Sequence, residues 1–320
     1  MSTTRKNRKI FLIVFVSLLI ICNIALLAAG NFFYNVAMNY NITNKYSQEF
    51  YDKTAASVKF NEGEFSTLKK DYVTIKSRYG YDLKGIFIKN PVPTEDTVII
   101  VHGIGMDKEW SCMKYGKIFL DKGYNIFVYD SRGHGESGGR QTSYGYYEKD
   151  DLESCVAYVR ASNPSGIIGI HSESLGAASA LLYAETYNAK SEISFIIEDC
   201  GFSDLRELFI YKASEYKIPS FLRPVIVSYM SIVCKVRSGF FIGEVSPIKD
   251  IQKITIPILF IHGADDAFTP SKMAVDLYNK KIGAKALYIA PGAGHAESLN
   301  VDMAKYYEVI YDFLDREIKK

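Results

Sequence analysis

Residues Gly169-Ile170-His171-Ser172-Glu173-Ser174-Leu175-Gly176 run from an apolar stretch through small residues into Leu175-Gly176-Ala177-Ala178-Ser179-Ala180, which favours helix. A serine at the apex of a strand–turn–helix has its hydroxyl lifted clear of a sheet and set beside a helix N-terminus, which suits a nucleophile. Ser174 stands at that apex in a small-x-Ser-x-Gly pattern, with Ser172 in the first small position. Alone, such a serine is an ordinary helix cap. As a nucleophile it needs a base, and the base needs an acid to orient it. Asp265 and Asp266, in Leu259-Phe260-Ile261-His262-Gly263-Ala264-Asp265-Asp266-Ala267-Phe268-Thr269-Pro270, compete for the acid, and Asp199 is a third contender. Of the five histidines, only His295, in Gly292-Ala293-Gly294-His295, follows both Ser174 and Asp266, as the order nucleophile, acid, histidine requires. His102, His134 and His262 read as scaffold. In Val101-His102-Gly103-Ile104-Gly105, the Ile104 amide could pair with the Leu175 amide as an oxyanion hole, each such donor contributing about 3–4 kcal/mol in a transition state. The chemistry these residues could carry is acyl transfer through an acyl-enzyme.

The elements that would position them alternate. Tyr72–Arg78 and Leu83–Lys89 read as two strands joined through Tyr79-Gly80, a hairpin signal. Thr97–Val101, Asn125–Tyr129, Gly166–Ile170, Ser194–Glu198, Ile256–Ile261 and Ala286–Ile289 are near-continuous apolar runs, as strands buried on both faces should be. Helical patterns at Tyr146–Arg160, Leu175–Tyr187 and Ser271–Lys281 separate several of them. The alternation predicts an α/β fold, a mostly parallel central sheet with helices on both faces and the hairpin as its antiparallel edge. Residues 202–246 interrupt the rhythm with aromatic and aliphatic residues broken by Pro219 and Pro224, and predict a small helical cap. Within it, Val227 and Ile232 are candidates for an acyl-binding wall. The competing readings are simple packing on the core and a surface resting on a bilayer.

The N-terminus has a different character. Residues 1–9 carry Arg5, Lys6, Arg8 and Lys9 and no acid, and residues 10–30 carry no charge. About 20 helical residues cross the hydrocarbon core of a bilayer. The Ile, Leu, Val and Phe of this run favour insertion by roughly 4–8 kcal/mol before the cost of Asn23 is subtracted. The run exceeds the usual apolar core of a cleaved signal peptide, about 7–15 residues, so an uncleaved anchor is expected. The basic residues predict a cytoplasmic segment 1–9, a single span 10–30 and the rest of the chain outside the cell. Residues 31–70 would be a polar, partly helical juxtamembrane stalk, and 71–320 the enzymatic domain.

Composition narrows the classes. In 320 residues, 48% are hydrophobic and 23% charged, with a net charge of +2, which argues against disorder and against a nucleic-acid coat. Five cysteines without a C-x-x-C pattern suggest no zinc ribbon and no disulfide framework. No metal-ligand spacing and no Gly-rich phosphate loop is present, so no cofactor is expected.

The His-Gly turn after Val101, Arg132-Gly133-His134-Gly135-Glu136-Ser137, the turn at Ser174, the His262-Gly263-x-x-Asp266 run and Gly292-Ala293-Gly294-His295 occur in this order over residues 71–320. In that order they resemble the α/β-hydrolase family. With Thr142-Ser143-Tyr144-Gly145-Tyr146-Tyr147-Glu148-Lys149-Asp150-Asp151-Leu152, the chain is similar to membrane-anchored, fluorophosphonate-binding serine hydrolases and esterases of Gram-positive bacteria. The resemblance implies an α/β-hydrolase fold with Ser174 as nucleophile, Asp266 as acid and His295 as base. It also implies a carboxylesterase acting on short- to medium-chain acyl esters or lipid esters. A thioesterase, a serine peptidase and a binding module on an inactive fold are the alternatives. Ser172, in place of the usual first glycine, is the one departure in the triad motifs.

Overall fold

The computed structural model describes residues 3–38, 62–186 and 192–318. The chain divides into two compact units, one formed by the N-terminal helix with Phe209–Glu244 and the other by the remaining elements. This differs from the expected partition, in which residues 202–246 belonged wholly to the enzymatic domain.

The first unit contains α1 (Thr3–Met38). Its stretch Asn7–Met38 is long and apolar enough to cross a membrane. The helix does not stop at Gly30, where the span was expected to give way to a stalk. An interior glycine costs only about 1 kcal/mol relative to alanine, and no proline follows to end the helix. Most of the expected stalk lies outside the described residues. Its last part forms α2 (Glu62–Thr67), and the sheet begins at Lys70.

The second unit is built on eight strands: β1 (Lys70–Lys76), β2 (Asp82–Ile88), β3 (Thr97–Val101), β4 (Asn125–Tyr129), β5 (Ile168–Glu173), β6 (Phe195–Asp199), β7 (Ile258–Gly263) and β8 (Lys285–Ala290). They lie in the order β1-β2-β4-β3-β5-β6-β7-β8. The hairpin β1–β2 and the pair β2–β4 are antiparallel, and every other pair is parallel. The helices are α3 (Lys108–Asp121), α4 (Glu148–Ser162), α5 (Leu175–Thr186), α6 (Leu205–Lys212), α7 (Arg223–Ser238), α8 (Pro247–Asp250), α9 (Lys272–Lys280), α10 (Ser298–Val301) and α11 (Met303–Glu317). Of these, α7 lies in the first unit and α6 straddles the division.

Alternation along each strand fills both faces of the sheet. Ile99, Phe127, Ile170, Ile196 and Phe260 point to one core with Leu152 and Val156 of α4 and Leu181 of α5. Their neighbours Val98, Ile100, Ile126, Ile197, Leu259 and Ile261 point to the other, with Tyr115 and Phe119 of α3 and Ile310 and Phe313 of α11. Because β3 and β5–β8 run parallel, the loops after them emerge at one edge of the sheet. The chain leaves β3 for β4 on one side and returns to β5 on the other, so the crevice between the β3 and β5 ends is the switch point where ligands bind in open α/β sheets.

Candidate active site

The turn after β5 is tight. Ser174 has φ 53, in the left-handed region that non-glycine residues avoid. The conformation persists because the surroundings hold it: the Ser174 amide donates to Asp199 O at 2.8 Å, and its carbonyl accepts from Ala178 N at 3.2 Å. Gly176 is obligatory, since a Cβ there would overlap the Val101 carbonyl of the neighbouring strand end. Ser172, the departure from the usual glycine, is accommodated. It is buried within β5, and its hydroxyl donates to Ile197 O at 3.1 Å.

The turn aims Ser174 Oγ at His295 Nε2, 2.9 Å away. His295 Nδ1 lies 2.7 Å from Asp266 Oδ2. The three residues expected from separate strand ends therefore form one hydrogen-bonded chain. Neither competing acid joins it. Asp265 is exposed, with its amide donating to Ala293 O at 2.9 Å. Asp199 is buried and accepts from Tyr306 OH at 2.9 Å and Ser298 Oγ at 3.3 Å. Burial pushes its carboxyl up to about 6, against the opposing pull of Lys114.

Asp266 is anchored on both oxygens. Oδ1 accepts from the amides of Phe268 and Thr269, each at 2.8 Å. Oδ2 faces two imidazoles, His295 and, at 3.1 Å, His262 Nε2, which also lies 2.8 Å from Thr269 O. Burial opposes the charged carboxylate, but hydrogen bonds from His262 and His295 outweigh it and hold the group well below the usual carboxylate range. These contacts favour the ionised carboxylate over its protonated form. His295 is less enclosed, its side chain 23% exposed and its ring packed against Phe268.

The loop after β3 meets the serine turn. A Cβ on Gly103 would lie 3.3 Å from Ser174 Cβ. His102 braces this loop from beneath, pairing through Nδ1 with Gly103 O at 2.7 Å and accepting at Nε2 from Ser131 N at 2.8 Å. Ile104 follows between Gly103 and a left-handed Gly105. Leu175 opens α5, so its amide is among the first-turn donors that no helical carbonyl can satisfy. His134 and His171 serve the scaffold through Arg132 O and Tyr306 OH.

Two residues that the sequence did not single out hold these parts together. Lys114 of α3 is 2% exposed, and its ammonium pairs with Glu173, the residue before Ser174, and donates to Ala296 O at 2.8 Å. Ala296, beside His295, has φ 59. One cation therefore ties the serine turn to the histidine loop. Burial opposes the Glu173 charge, yet the Lys114 ammonium holds its carboxyl below the ordinary range. Lys114→Met, which leaves that buried carboxylate without its cation but still accepting from Tyr115 OH, should cost about 3 kcal/mol of stability in denaturant unfolding. The double variant Lys114→Met/Glu173→Gln should recover part of the loss.

The two candidates for an acyl-binding wall both lie on α7. Val227 is buried, whereas Ile232 is 46% exposed. Five residues apart on α7, they point about 140° apart and do not share a face.

Comparison with known proteins agrees with this architecture. The family described as "Serine aminopeptidase, S33" (Hydrolase_4) matches residues 93–198, from β3 through the serine turn to β6. The uncharacterized protein YqkD of Bacillus subtilis (strain 168) is 42% identical over 254 residues, covering 78% of this chain and 81% of that protein. The alpha/beta hydrolase domain-containing protein 17C of Xenopus tropicalis is 23% identical over 262 residues, covering 80% and 74%. Among solved structures, the Pyrococcus furiosus esterase Pf2001 superimposes with a TM-score of 0.65 at 21% identity, covering 82% of this chain and 96% of the esterase. At that identity the likeness speaks for the fold alone. With the sheet order, the turn at Ser174 and these relatives together, the chain belongs to the α/β-hydrolase superfamily.

Proposed function

We propose that the protein is a membrane-anchored serine hydrolase, a carboxylesterase for short- to medium-chain acyl esters or lipid esters. The observation that carries this reading is the hydrogen-bonded chain Ser174–His295–Asp266, with the serine in a left-handed turn at the switch point. Ser174 Oγ attacks the ester carbonyl while His295 Nε2 takes its proton. Asp266 fixes the imidazole with its proton on Nδ1 and stabilises the charged ring. The negative oxygen of the tetrahedral intermediate is received by the Ile104 and Leu175 amides. His295 returns the proton to the leaving alcohol, leaving an acyl-serine. Water, deprotonated by His295, then adds to the acyl carbon, and collapse releases the acid and restores Ser174.

The membrane part of the reading rests on α1 and its basic N-terminal flank. The positive-inside preference of Arg5, Lys6, Arg8 and Lys9 supports a cytoplasmic segment 1–9 and a hydrolase unit outside the cell.

The test is covalent labelling of the full chain in membranes with a fluorophosphonate, followed by mass-spectrometric mapping of the modified peptide. Label on Ser174, with turnover of an acyl ester exceeding that of the matched thioester and peptide amide, is the expected result. Preferential amide turnover would move the protein to the peptidases, and preferential thioester turnover to the deacylases. A folded chain that takes no label would overturn the enzymatic reading.

A further inference from the structure

The insertion helix α7 is joined to the apolar helix α1 along a defined seam. From Ile10 to Ala25 α1 is exposed all round, but beyond it exposure falls at Leu26, Gly30, Tyr34 and Met38, a spacing of four that marks one helix face. At Gly30 the two backbones meet. A Cβ there would lie 2.7 Å from Met230 N. Further along, Tyr34 OH and Ser238 Oγ are 2.6 Å apart. Arg237 Nη1 donates to Asn31 Oδ1 at 2.8 Å and to Asn35 Oδ1 at 2.7 Å, with its guanidinium over the Tyr34 ring. In the other direction, Tyr229 OH donates to Asn23 Oδ1, while Asn23 Nδ2 donates to Leu19 O at 2.8 Å. The two helices therefore run side by side in the same direction.

This seam has the chemistry of helix pairing in lipid. An amide without a partner in hydrocarbon costs several kcal/mol, and Tyr229 of α7 meets the Asn23 carbonyl inside the apolar run. A glycine at the crossing gives the close backbone approach on which helix association in membranes depends. Arginine, tyrosine and asparagine gather toward the end of the apolar run, where headgroups begin. The open side of α7 carries an apolar stripe, with Ser228 and Lys235 exposed beyond it. Val225, Ile232 and Val236 are 38%, 46% and 81% exposed and repeat at helical spacing beside the seam, and Phe221 just before the helix is 74% exposed. That stripe continues the exposed apolar surface of α1.

We propose that α7 is itself seated in the bilayer, clasped to the spanning helix, with Phe221, Val225, Ile232 and Val236 against lipid acyl chains. The insertion is then a lipid-contacting element, and the partner of its open face is the membrane that α1 crosses. The proposal rests on the anchored reading of α1 and is independent of the hydrolytic one.

Full-length protein carrying Trp110→Phe, which removes the single tryptophan, is reconstituted into phosphatidylcholine vesicles with and without brominated acyl chains. Tryptophan is introduced singly as Phe221→Trp, Val225→Trp or Val236→Trp, with Val92→Trp, 69% exposed in the hydrolase unit, as reference. Bromolipid should quench the three insertion positions several-fold more than position 92. Gly30→Leu, which forces the helices apart, should reduce the quenching at position 225. Quenching at the insertion positions no greater than at position 92, in protein that resists alkaline carbonate extraction, would overturn the proposal alone. Release of the protein by carbonate would overturn the anchored reading along with it. Fluorophosphonate labelling of the same samples reports separately on the hydrolase. If Trp110→Phe fails to fold, the same comparison is made with Trp110 retained and its constant signal subtracted.

Discussion

Ser174→Ala is expected to lower kcat for an ester by about 10⁵–10⁶-fold while leaving the fold intact. Among the described residues the hydroxyl hydrogen-bonds to His295, and the two hydrogen bonds that hold the turn belong to the Ser174 backbone. Alanine accepts the same left-handed φ at about the same cost as serine, so unfolding should move by no more than about 1 kcal/mol. Ser174→Gly separates chemistry from strain. Glycine adopts φ 53 without penalty, so this variant should be as inactive as the alanine form and more stable than the wild type by up to about 1–2 kcal/mol. Kinetics of ester hydrolysis beside thermal unfolding of the three proteins checks both halves. Ester turnover persisting near the wild-type rate in a folded Ser174→Ala protein would remove Ser174 from the mechanism. A glycine variant no more stable than the alanine one would mean that the turn stores no strain.

The strained turn also bears on what a sequence can reveal. Parallel strands buried on both faces must be apolar almost throughout, so β3 to β7 stand out as runs, and the loops after β3, β5 and β7 carry Ile104, Ser174 and Asp266 in recognisable surroundings, as the loop after β8 carries His295. What stayed hidden depends on contacts between distant residues. Lys114 and Glu173 look in sequence like ordinary surface charges, because the partners that make burial tolerable lie 59 residues apart. Asp265 and Asp266 are neighbours of one type, and only the turn that folds the Phe268 and Thr269 amides back onto Asp266 tells them apart. The extension of α1 to Met38 has the same origin, since the face that carries Gly30 and Tyr34 meets α7 some 200 positions later in the chain. Helix α11 is the exception. Tyr306, Ile310, Phe313 and Leu314 carry a helical apolar spacing, so its signal is present in the sequence itself.

Asp266→Asn should lower kcat by about 10⁴-fold with the fold retained, and the reason lies in the two oxygens of the carboxylate. Oδ1 accepts from two backbone amides, which can only donate. An asparagine must therefore keep its oxygen on that side and turn its NH₂ toward His262 and His295. His295 Nδ1, which donated to the carboxylate, must now accept. Its proton moves to Nε2, the atom 2.9 Å from Ser174 Oγ, where it blocks the uptake of the serine proton. The variant thus loses the base without losing the geometry, so fluorophosphonate labelling should slow together with ester turnover. Asp265→Asn, at an exposed side chain outside the chain of hydrogen bonds, should change kcat by no more than a few-fold. Asp199→Asn should act mainly on stability through Tyr306 and Ser298. The pH dependence follows from the direction of the Asp266 shift. A carboxyl held below its unfolded value contributes stability above the ordinary carboxylate range and loses it as pH falls through the depressed native value. Wild type should therefore lose more stability than Asp266→Asn as the pH is lowered from about 5 toward 2. Equal kcat losses in Asp265→Asn and Asp266→Asn, or parallel acid unfolding of wild type and Asp266→Asn, would show that the acid of this site has been misassigned.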